Sequence, residues 1–165
     1  MKNLLLSIIF IFAALWSVNA QDISKHSLGL RLGDSGGLGA EISYQHGLKN
    51  NKRLELDLGF RNHSTYSAFK VTGLYQWVWK LDGNFNWYAG VGGSVGSWGI
   101  NKDHPKEYEN IDGTAFINVD GDIGIEYLFD VPIQVFLDLR PEIGLLGNYG
   151  DTIDFDVALG VRYRF

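Results

Sequence analysis

The sequence predicts an all-β protein, an eight-stranded antiparallel up-and-down β-barrel that spans a membrane. Three observations predict it: apolar–polar alternation in the last strand, the recurrence of that alternation along the chain, and glycines interleaved with charges on the polar face. In 154–165 one face is wholly apolar, formed by Phe155, Val157, Leu159, Val161, Tyr163 and Phe165. Because successive strand side chains point to opposite faces, such a strand needs an apolar medium on one side and a polar interior on the other.

Period-2 alternation marks all eight strands, and no segment has a convincing helical period. The predicted strands are 25–33, 38–46, 52–62, 66–80, 84–98, 114–129, 132–145 and 154–165. The connections 47–51, 81–84 and 130–132 are short and turn-like, and they lie at the same end as the C-terminus. At the other end the connections are 34–37, 63–65, 99–113 and 146–153. Outer-membrane barrels have short periplasmic turns and longer outer loops, so 99–113 and 146–153 are predicted to face outward.

The polar face of these strands is predicted to point into the barrel. A soluble barrel would turn its apolar face inward, whereas glycines on a solvent-exposed polar face would weaken the sheet. Inside a narrow barrel, the same glycines make room for arginines and for Tyr88, Phe116 and Phe136. The predicted interior charges are Arg31, Glu41, Arg53, Glu55, Asp57, Arg61, Lys70, Asp120, Asp122, Glu126, Asp138, Arg140, Glu142, Asp154, Asp156, Arg162 and Arg164.

The apolar face carries a band of aromatic residues near the short-turn end. Trp and Tyr concentrate where a membrane meets water, so this band is predicted to be an interfacial girdle. Its members are Tyr44, Tyr75, Trp77, Trp79, Phe85, Trp87, Tyr127, Phe129, Tyr163 and Phe165.

The N-terminus has the pattern of an export signal: Lys2, an apolar run from Leu4, and small residues at Val18 and Ala20. The apolar run to Trp16 is too short for a bilayer-spanning helix, so we expect cleavage after Ala20 and a single barrel domain over 21–165. No later stretch is apolar for long enough to span as a helix, so membrane insertion is predicted to use strands.

The chain resembles the small eight-stranded outer-membrane barrels of the OmpX-like and OmpA-like group. The most specific motif is the ending Tyr163-Arg164-Phe165, a C-terminal aromatic on the last alternating strand. The resemblance implies a monomer in outer-membrane lipid of a Gram-negative bacterium, with Tyr163 and Phe165 recognised by the barrel assembly machinery. No peptidoglycan-binding domain follows the barrel, unlike in two-domain OmpA-like members, so no wall-anchoring role is expected.

The interior charges are predicted to form a closed network of ion pairs, because eight strands leave a space that side chains fill. Arg31 is expected to pair with Asp154 or Asp156 across the barrel closure. The carboxylate pairs Asp120/Asp122 and Asp154/Asp156 could serve acid–base chemistry or Ca²⁺, but the surrounding arginines favour ion pairing. No catalytic residue, cofactor or metal site is therefore predicted. The segment Gly90–Gly96 lacks the strand–turn–helix context of a phosphate-binding loop.

Three functions remain open at this level. The first is a structural or surface-interaction barrel, with loops 99–113 and 146–153 contacting an extracellular partner. The second is a narrow porin-like channel. The third and weakest is a lipid A-modifying enzyme that uses His63 and Ser64 with Asp151 or Asp154, although the His-x-Ser spacing of that enzyme group is missing.

Two other partner classes are disfavoured. His104 and Glu107 in the longest loop would make only a weak, two-ligand metal site. The net charge of −5 argues against nucleic acid as a partner.

Overall fold

The chain forms a closed barrel of eight antiparallel strands. A computed structural model describes residues 23–33, 39–62, 66–100, 114–147 and 153–165. Each strand pairs with the next along the chain, and the last pairs with the first, so the topology is up-and-down as predicted. Every observed strand end lies within two residues of the predicted one. The strands are β1 (His26–Gly33), β2 (Gly39–Gly47), β3 (Lys52–Asn62), β4 (Tyr66–Asp82), β5 (Phe85–Ile100), β6 (Thr114–Leu128), β7 (Ile133–Leu146) and β8 (Ile153–Arg164).

The barrel is apolar outside and polar inside. Leu30, Leu56 and Leu159 point outward and are each about half exposed, at 50%, 46% and 56%. Arg31 and Arg162, on alternate positions of the same strands, are completely buried. A barrel in water would require the opposite arrangement, so the fold is a transmembrane β-barrel. No helix among the described segments is both long and apolar enough to cross a membrane.

Interior glycines make room for three large aromatic side chains. A Cβ atom on Gly124 would lie 2.4 Å from the Tyr88 ring, one on Gly160 would lie 2.1 Å from the Phe136 ring, and one on Gly96 would lie 2.5 Å from the Phe116 ring. The three aromatic residues are at most 1% exposed. The prediction that interior glycines accommodate these rings is therefore correct.

The barrel closes between the two ends of the described chain. The Phe165 N–H donates to the His26 carbonyl at 2.9 Å, and the His26 N–H donates to the Phe165 carbonyl at 3.2 Å. From there β1 and β8 stay paired as far as Gly33 and Ala158. This continuous ladder leaves neither terminal strand with an open edge.

The short-turn end is built from compact connections. Between β2 and β3, Asn50 and Asn51 adopt φ values of 60° and 58°, a left-handed conformation that asparagine tolerates well. Between β4 and β5, Gly83 has a φ of 51°. These turns place the β2–β3, β4–β5 and β6–β7 connections at the same end as the C-terminus.

Candidate functional site

The candidate site is the charged interior, and its first cluster is centred on Arg31. The Arg31 guanidinium lies 2.7 Å from an oxygen of Asp138, 2.7 Å from one of Asp156 and 3.0 Å from one of Glu41. Glu41 and Asp156 come from the two strands that flank β1, whereas Asp138 comes from β7, one strand further around the barrel. Of the two partners that the sequence suggested for Arg31, the structure selects Asp156.

A second cluster surrounds Arg140 on β7 and crosses the barrel to β3. Arg140 Nη2 lies 2.9 Å from an oxygen of Asp57 and 3.2 Å from one of Glu55, and Nη1 lies 3.5 Å from Glu41. Glu55 is also 3.0 Å from Arg162 Nη2. Glu41 and Glu55 therefore join the arginines of three strands into one network.

Two further ion pairs lie towards the ends of the barrel. Near the short turns, Arg53 Nη1 is 2.6 Å from Glu126. Near the opposite end, Lys70 Nζ is 2.5 Å from Glu142. Because both pairs join strands that are not neighbours, they tie opposite walls of the barrel together.

Uncharged polar side chains complete the network, and the sequence interpretation did not include them. The amide nitrogen of Gln76 donates to Glu55 at 3.1 Å and to Asp122, and Gln45 donates to Glu55 at 2.6 Å. Gln134 donates to Glu126 at 2.7 Å. All these glutamines occupy the same alternate strand positions as the charged residues. That alternation is the sequence signal that would have identified them.

Arginines also stack on buried rings. The Arg53 guanidinium carbon lies 4.5 Å from the centre of the Tyr88 ring, and that of Arg162 lies 3.6 Å from the centre of the Phe136 ring. Cation–π contacts strengthen when water is excluded, and both rings are buried. The arginines are thus held by rings as well as by carboxylates.

The buried charges are not balanced. Among the described residues, the buried acids are Glu41, Glu55, Asp57, Asp120, Asp122, Glu126, Asp138, Glu142 and Asp156, and the buried bases are Arg31, Arg53, Lys70, Arg140 and Arg162. Nine acids and five bases leave four formal negative charges without a matching base. This surplus makes the interior attractive to cations.

Asp120 and Asp122 account for part of the surplus. Within the described ranges, the structure shows no ion pair for either residue. Among the described residues no donor is in good hydrogen-bond geometry with either carboxylate oxygen of Asp120, although the Ser94 hydroxyl lies nearby, and Asp120 lies opposite Glu142 in the β6–β7 register. Two facing carboxylates in a buried site repel each other, so this contact destabilises the interior.

Two predicted interior residues lie instead at the ends of β8. Asp154 is partly exposed, and its side chain accepts a hydrogen bond from the Phe155 N–H at 2.8 Å. Arg164 is also partly exposed, and it donates to the carbonyls of Phe129 and Val131 at 2.7 and 3.0 Å. Both predictions used strand parity alone, which does not show where a strand leaves the barrel. Arg164 therefore supports the β6–β7 connection rather than the central network.

Several candidate residues lie outside the described part of the chain. These are the side chain of Arg61, residues 101–113 and 148–152 of the proposed loops, and His63, Ser64, His104, Glu107 and Asp151. In the residues that are described, no group of three or more His, Cys, Asp or Glu side chains could hold a metal ion.

The aromatic residues of the predicted girdle lie on the outer face near the short-turn end. Trp79 and Trp87 stack with their ring centres 4.3 Å apart, and Phe85 and Tyr127 meet edge to face at 4.7 Å. Tyr163 packs beside Phe165 at 6.3 Å. These pairs span adjacent strands or follow one strand, so the band is continuous across β4, β5 and β6 and recurs on β8.

Comparisons with solved structures identify the same class of fold. The N-terminal β-barrel domain of OprF from Pseudomonas aeruginosa has a TM-score of 0.69 and 15% identity, over 85% of this chain and 96% of that one. Neisserial surface protein A has a TM-score of 0.64 and 14% identity, over 85% of this chain and 94% of that one. Ail, the attachment invasion locus protein of Yersinia pestis, has a TM-score of 0.55 and 12% identity, over 86% of this chain and 97% of that one.

The chain therefore has the fold of the small eight-stranded outer-membrane barrels, as the sequence resemblance indicated. At these identities the likeness shows the fold and not the activity. No protein-family model and no curated protein matches the sequence.

Proposed function

We propose that this protein is an integral outer-membrane barrel of a Gram-negative bacterium, with a structural or surface-interaction role and no enzyme activity. The observation that carries the proposal is the combination of an apolar outer face with a buried ion-pair network that joins strands on opposite walls. Such an interior favours rigidity over passage of solutes, because Arg31, Arg140 and Glu55 are each held by partners on several strands. Similarity of fold to OprF, NspA and Ail supports the location.

The same proposal assigns its partners. Outer-membrane lipid contacts the apolar face, and the assembly machinery recognises the Tyr163 and Phe165 side chains, both of which are more than half exposed. The segments 99–113 and 146–153 contact an extracellular partner. The barrel acts as a monomer, because every strand already has two neighbours.

The first test is gel mobility of the outer-membrane fraction, boiled and unboiled, in SDS. A closed barrel keeps all its strand edges paired, so we expect the unboiled sample to migrate differently from the boiled one. Material found in the soluble periplasmic fraction, without a heat-dependent shift, would contradict the membrane location.

A second test addresses the surface role and the absence of catalysis. Replacing 101–112 with a short Gly-Ser linker is expected to abolish surface adhesion or phage sensitivity that the intact protein confers, while the heat-dependent shift remains.

A His63→Ala change is expected to leave the mass of lipid A unchanged. A lipid A mass shift that depends on His63 would replace the surface role with an enzymatic one.

A second candidate function is a narrow, cation-selective channel. The surplus of buried acids favours it, because ionised carboxylates without a matching base repel anions and attract cations. In planar bilayers, the closed-interior proposal expects no steady conductance. Steady cation-selective steps that shrink in an Asp120→Asn, Asp122→Asn double variant would favour the channel instead.

A further inference from the structure

Two histidines meet on the outer face of the barrel beside its closure. His26 begins β1, and His46 is its register partner on β2. Their Nδ1 atoms are 3.4 Å apart, and the ring centres are 4.9 Å apart. Tyr44 is the outward-facing residue that precedes His46 on β2. Its hydroxyl lies 2.7 Å from the same Nδ1 atom of His26.

The backbone holds this pair in the closer of the two cross-strand arrangements. The Gly47 N–H donates to the Lys25 carbonyl at 2.9 Å, so Lys25 and Gly47 form a hydrogen-bonded pair. In an antiparallel ladder the next pair, His26 and His46, is then non-hydrogen-bonded, and its side chains lie closer together. The pair is thus preorganised by the sheet.

The far side of His26 is fixed as well. Two backbone hydrogen bonds join His26 to Phe165, and the Phe165 ring stacks on the His26 ring at 5.7 Å with an interplanar angle of 20°. The imidazole is therefore supported by β8 on one side while its Nδ1 atom faces His46 on the other.

The contacts of His26 Nδ1 cannot all be satisfied by hydrogen bonds. That atom carries either one proton or one lone pair, depending on the tautomer. It can therefore donate to one neighbour or accept from one, yet both the Tyr44 hydroxyl and His46 Nδ1 approach it. A cation that accepts both imidazole lone pairs would satisfy the two Nδ1 atoms that face each other.

The spacing suits such an ion. Zinc binds imidazole nitrogen at about 2.0–2.1 Å in a tetrahedral arrangement, which places two ligand nitrogens about 3.3–3.4 Å apart. The observed separation of 3.4 Å matches that edge. Imidazole nitrogens suit Zn²⁺ and Cu²⁺, whereas Ca²⁺ and Mg²⁺ prefer oxygen ligands.

We propose that His26 and His46 bind a divalent transition-metal ion of the Zn²⁺ or Cu²⁺ class through their Nδ1 atoms. Water completes the coordination, because the described residues contain no third His, Cys, Asp or Glu ligand at this position. The Tyr44 oxygen, 2.7 Å from His26 Nδ1, is closer to that nitrogen than two ligands of one tetrahedral ion would be. With two nitrogen ligands the site is open and exchangeable rather than a sealed structural centre. It joins β1 to β2 next to the β1–β8 closure, on the side that the proposed orientation places in the periplasm.

The test is metal titration of the protein purified from membranes in detergent, without a polyhistidine tag. Zn²⁺ affinity is measured by competition with a chromophoric chelator, and Cu²⁺ coordination is measured by electron paramagnetic resonance. The intact protein is expected to bind one Zn²⁺ at this site and to show two coordinated nitrogens with Cu²⁺. Ca²⁺ and Mg²⁺ are expected not to compete.

Matched variants locate the site. His46→Ala is expected to weaken Zn²⁺ binding about tenfold or more, at least the loss that outer-shell changes cause at metal sites, and to leave one coordinated nitrogen. A His63→Ala, His104→Ala double variant removes the other two histidines and is expected to bind as the intact protein does. If His46→Ala does not fold, His46→Gln is a second, more conservative substitution that tests the same ligand.

Unchanged Zn²⁺ affinity in both His46 variants, or no binding by the intact protein, would overturn the proposal. Loss of binding in the His63, His104 double variant would move the site to the loops. The readout is metal binding in detergent, so its result does not depend on the surface role or on conductance. Failure of this inference and failure of the proposed function are therefore separable.

Discussion

The guanidinium of Arg162 lies over the ring of Phe136, with 3.6 Å from its central carbon to the ring centre. Two residues earlier on β8, Gly160 is paired with Phe136 in the sheet and leaves the space that the edge of this ring occupies. One strand therefore supplies both the cation above the ring and the gap beside it. The pattern explains why large, small and charged residues alternate on the inner face.

Gly160→Ala is expected to destabilise the barrel. The added Cβ atom would lie 2.1 Å from the Phe136 ring, so the ring must move and its contact with Arg162 is disturbed. Overpacking of this kind costs about 1–3 kcal/mol in the free energy of unfolding. Guanidinium unfolding in detergent, followed by tryptophan fluorescence, measures the change.

Gly73→Ala is the matched control for that substitution. Gly73 points outward, and a Cβ atom there would meet nothing within 4 Å. Its unfolding midpoint should stay close to that of the unmodified protein. Equal destabilisation by both substitutions would show that loss of glycine itself, rather than the Phe136 contact, is responsible.

Arg140→Met is expected to be among the most harmful single changes. It would leave Asp57, Glu55 and Glu41 without the guanidinium that they share. Removing one partner of a buried ion pair costs about 3–5 kcal/mol, because a charge stays buried without compensation. Arg164→Met, at the end of the barrel, should lower the free energy of unfolding much less. A similar decrease in both variants would argue against a special role for the network.

Asp120→Asn is expected to change the free energy of unfolding in the opposite direction from Arg140→Met. The carboxylate is completely buried, has no donor in good hydrogen-bond geometry among the described residues, and faces Glu142. An amide removes the repulsion and can donate a hydrogen bond to Glu142. The free energy of unfolding should stay level or rise by about 1 kcal/mol, the net contribution of an ordinary hydrogen bond. A fall in stability of that size would mean that the charge itself is required.

Leu159→Lys separates a lipid-facing surface from a water-facing one. Leu159 points outward near the middle of β8 and is 56% exposed. A lysine at the bilayer midplane costs about 2–4 kcal/mol, whereas on a water-facing surface it costs little. Unfolding measured in lipid vesicles should show this loss, and Val131→Lys, in the exposed β6–β7 turn, should not.

The sequence predicted the strands because alternation is a local property. It also predicted that Arg31 pairs with Asp154 or Asp156, since β1 and β8 must be neighbours once the barrel closes, and the structure selects Asp156. The pairs Arg53–Glu126 and Lys70–Glu142 were not predicted, because each joins strands that are not neighbours. Such contacts depend on how far side chains reach across the barrel, which no local pattern records.

The pair His26–His46 was missed for a related reason. The residues are 20 apart in the sequence, and only the β1–β2 register brings their rings together. Asp154 and Arg164 show a related limit of the sequence. Both occupy strand positions that face the interior, but both lie at an end of β8 rather than in the middle of the barrel. In this fold the sequence determines on which face of the sheet a residue lies. Its depth along the barrel and its cross-strand partner are determined by the closed sheet.

The hydrogen bonds between His26 and Phe165 join the first strand to the residue that follows the eighth. Because six other strands lie between β1 and β8 in the sequence, the ring cannot close until β8 has been made. Until then β1 and β8 both expose unpaired backbone and apolar side chains, which promote aggregation. Assembly of this protein is therefore governed by a late encounter between distant segments, and the waiting polypeptide needs protection until that encounter occurs.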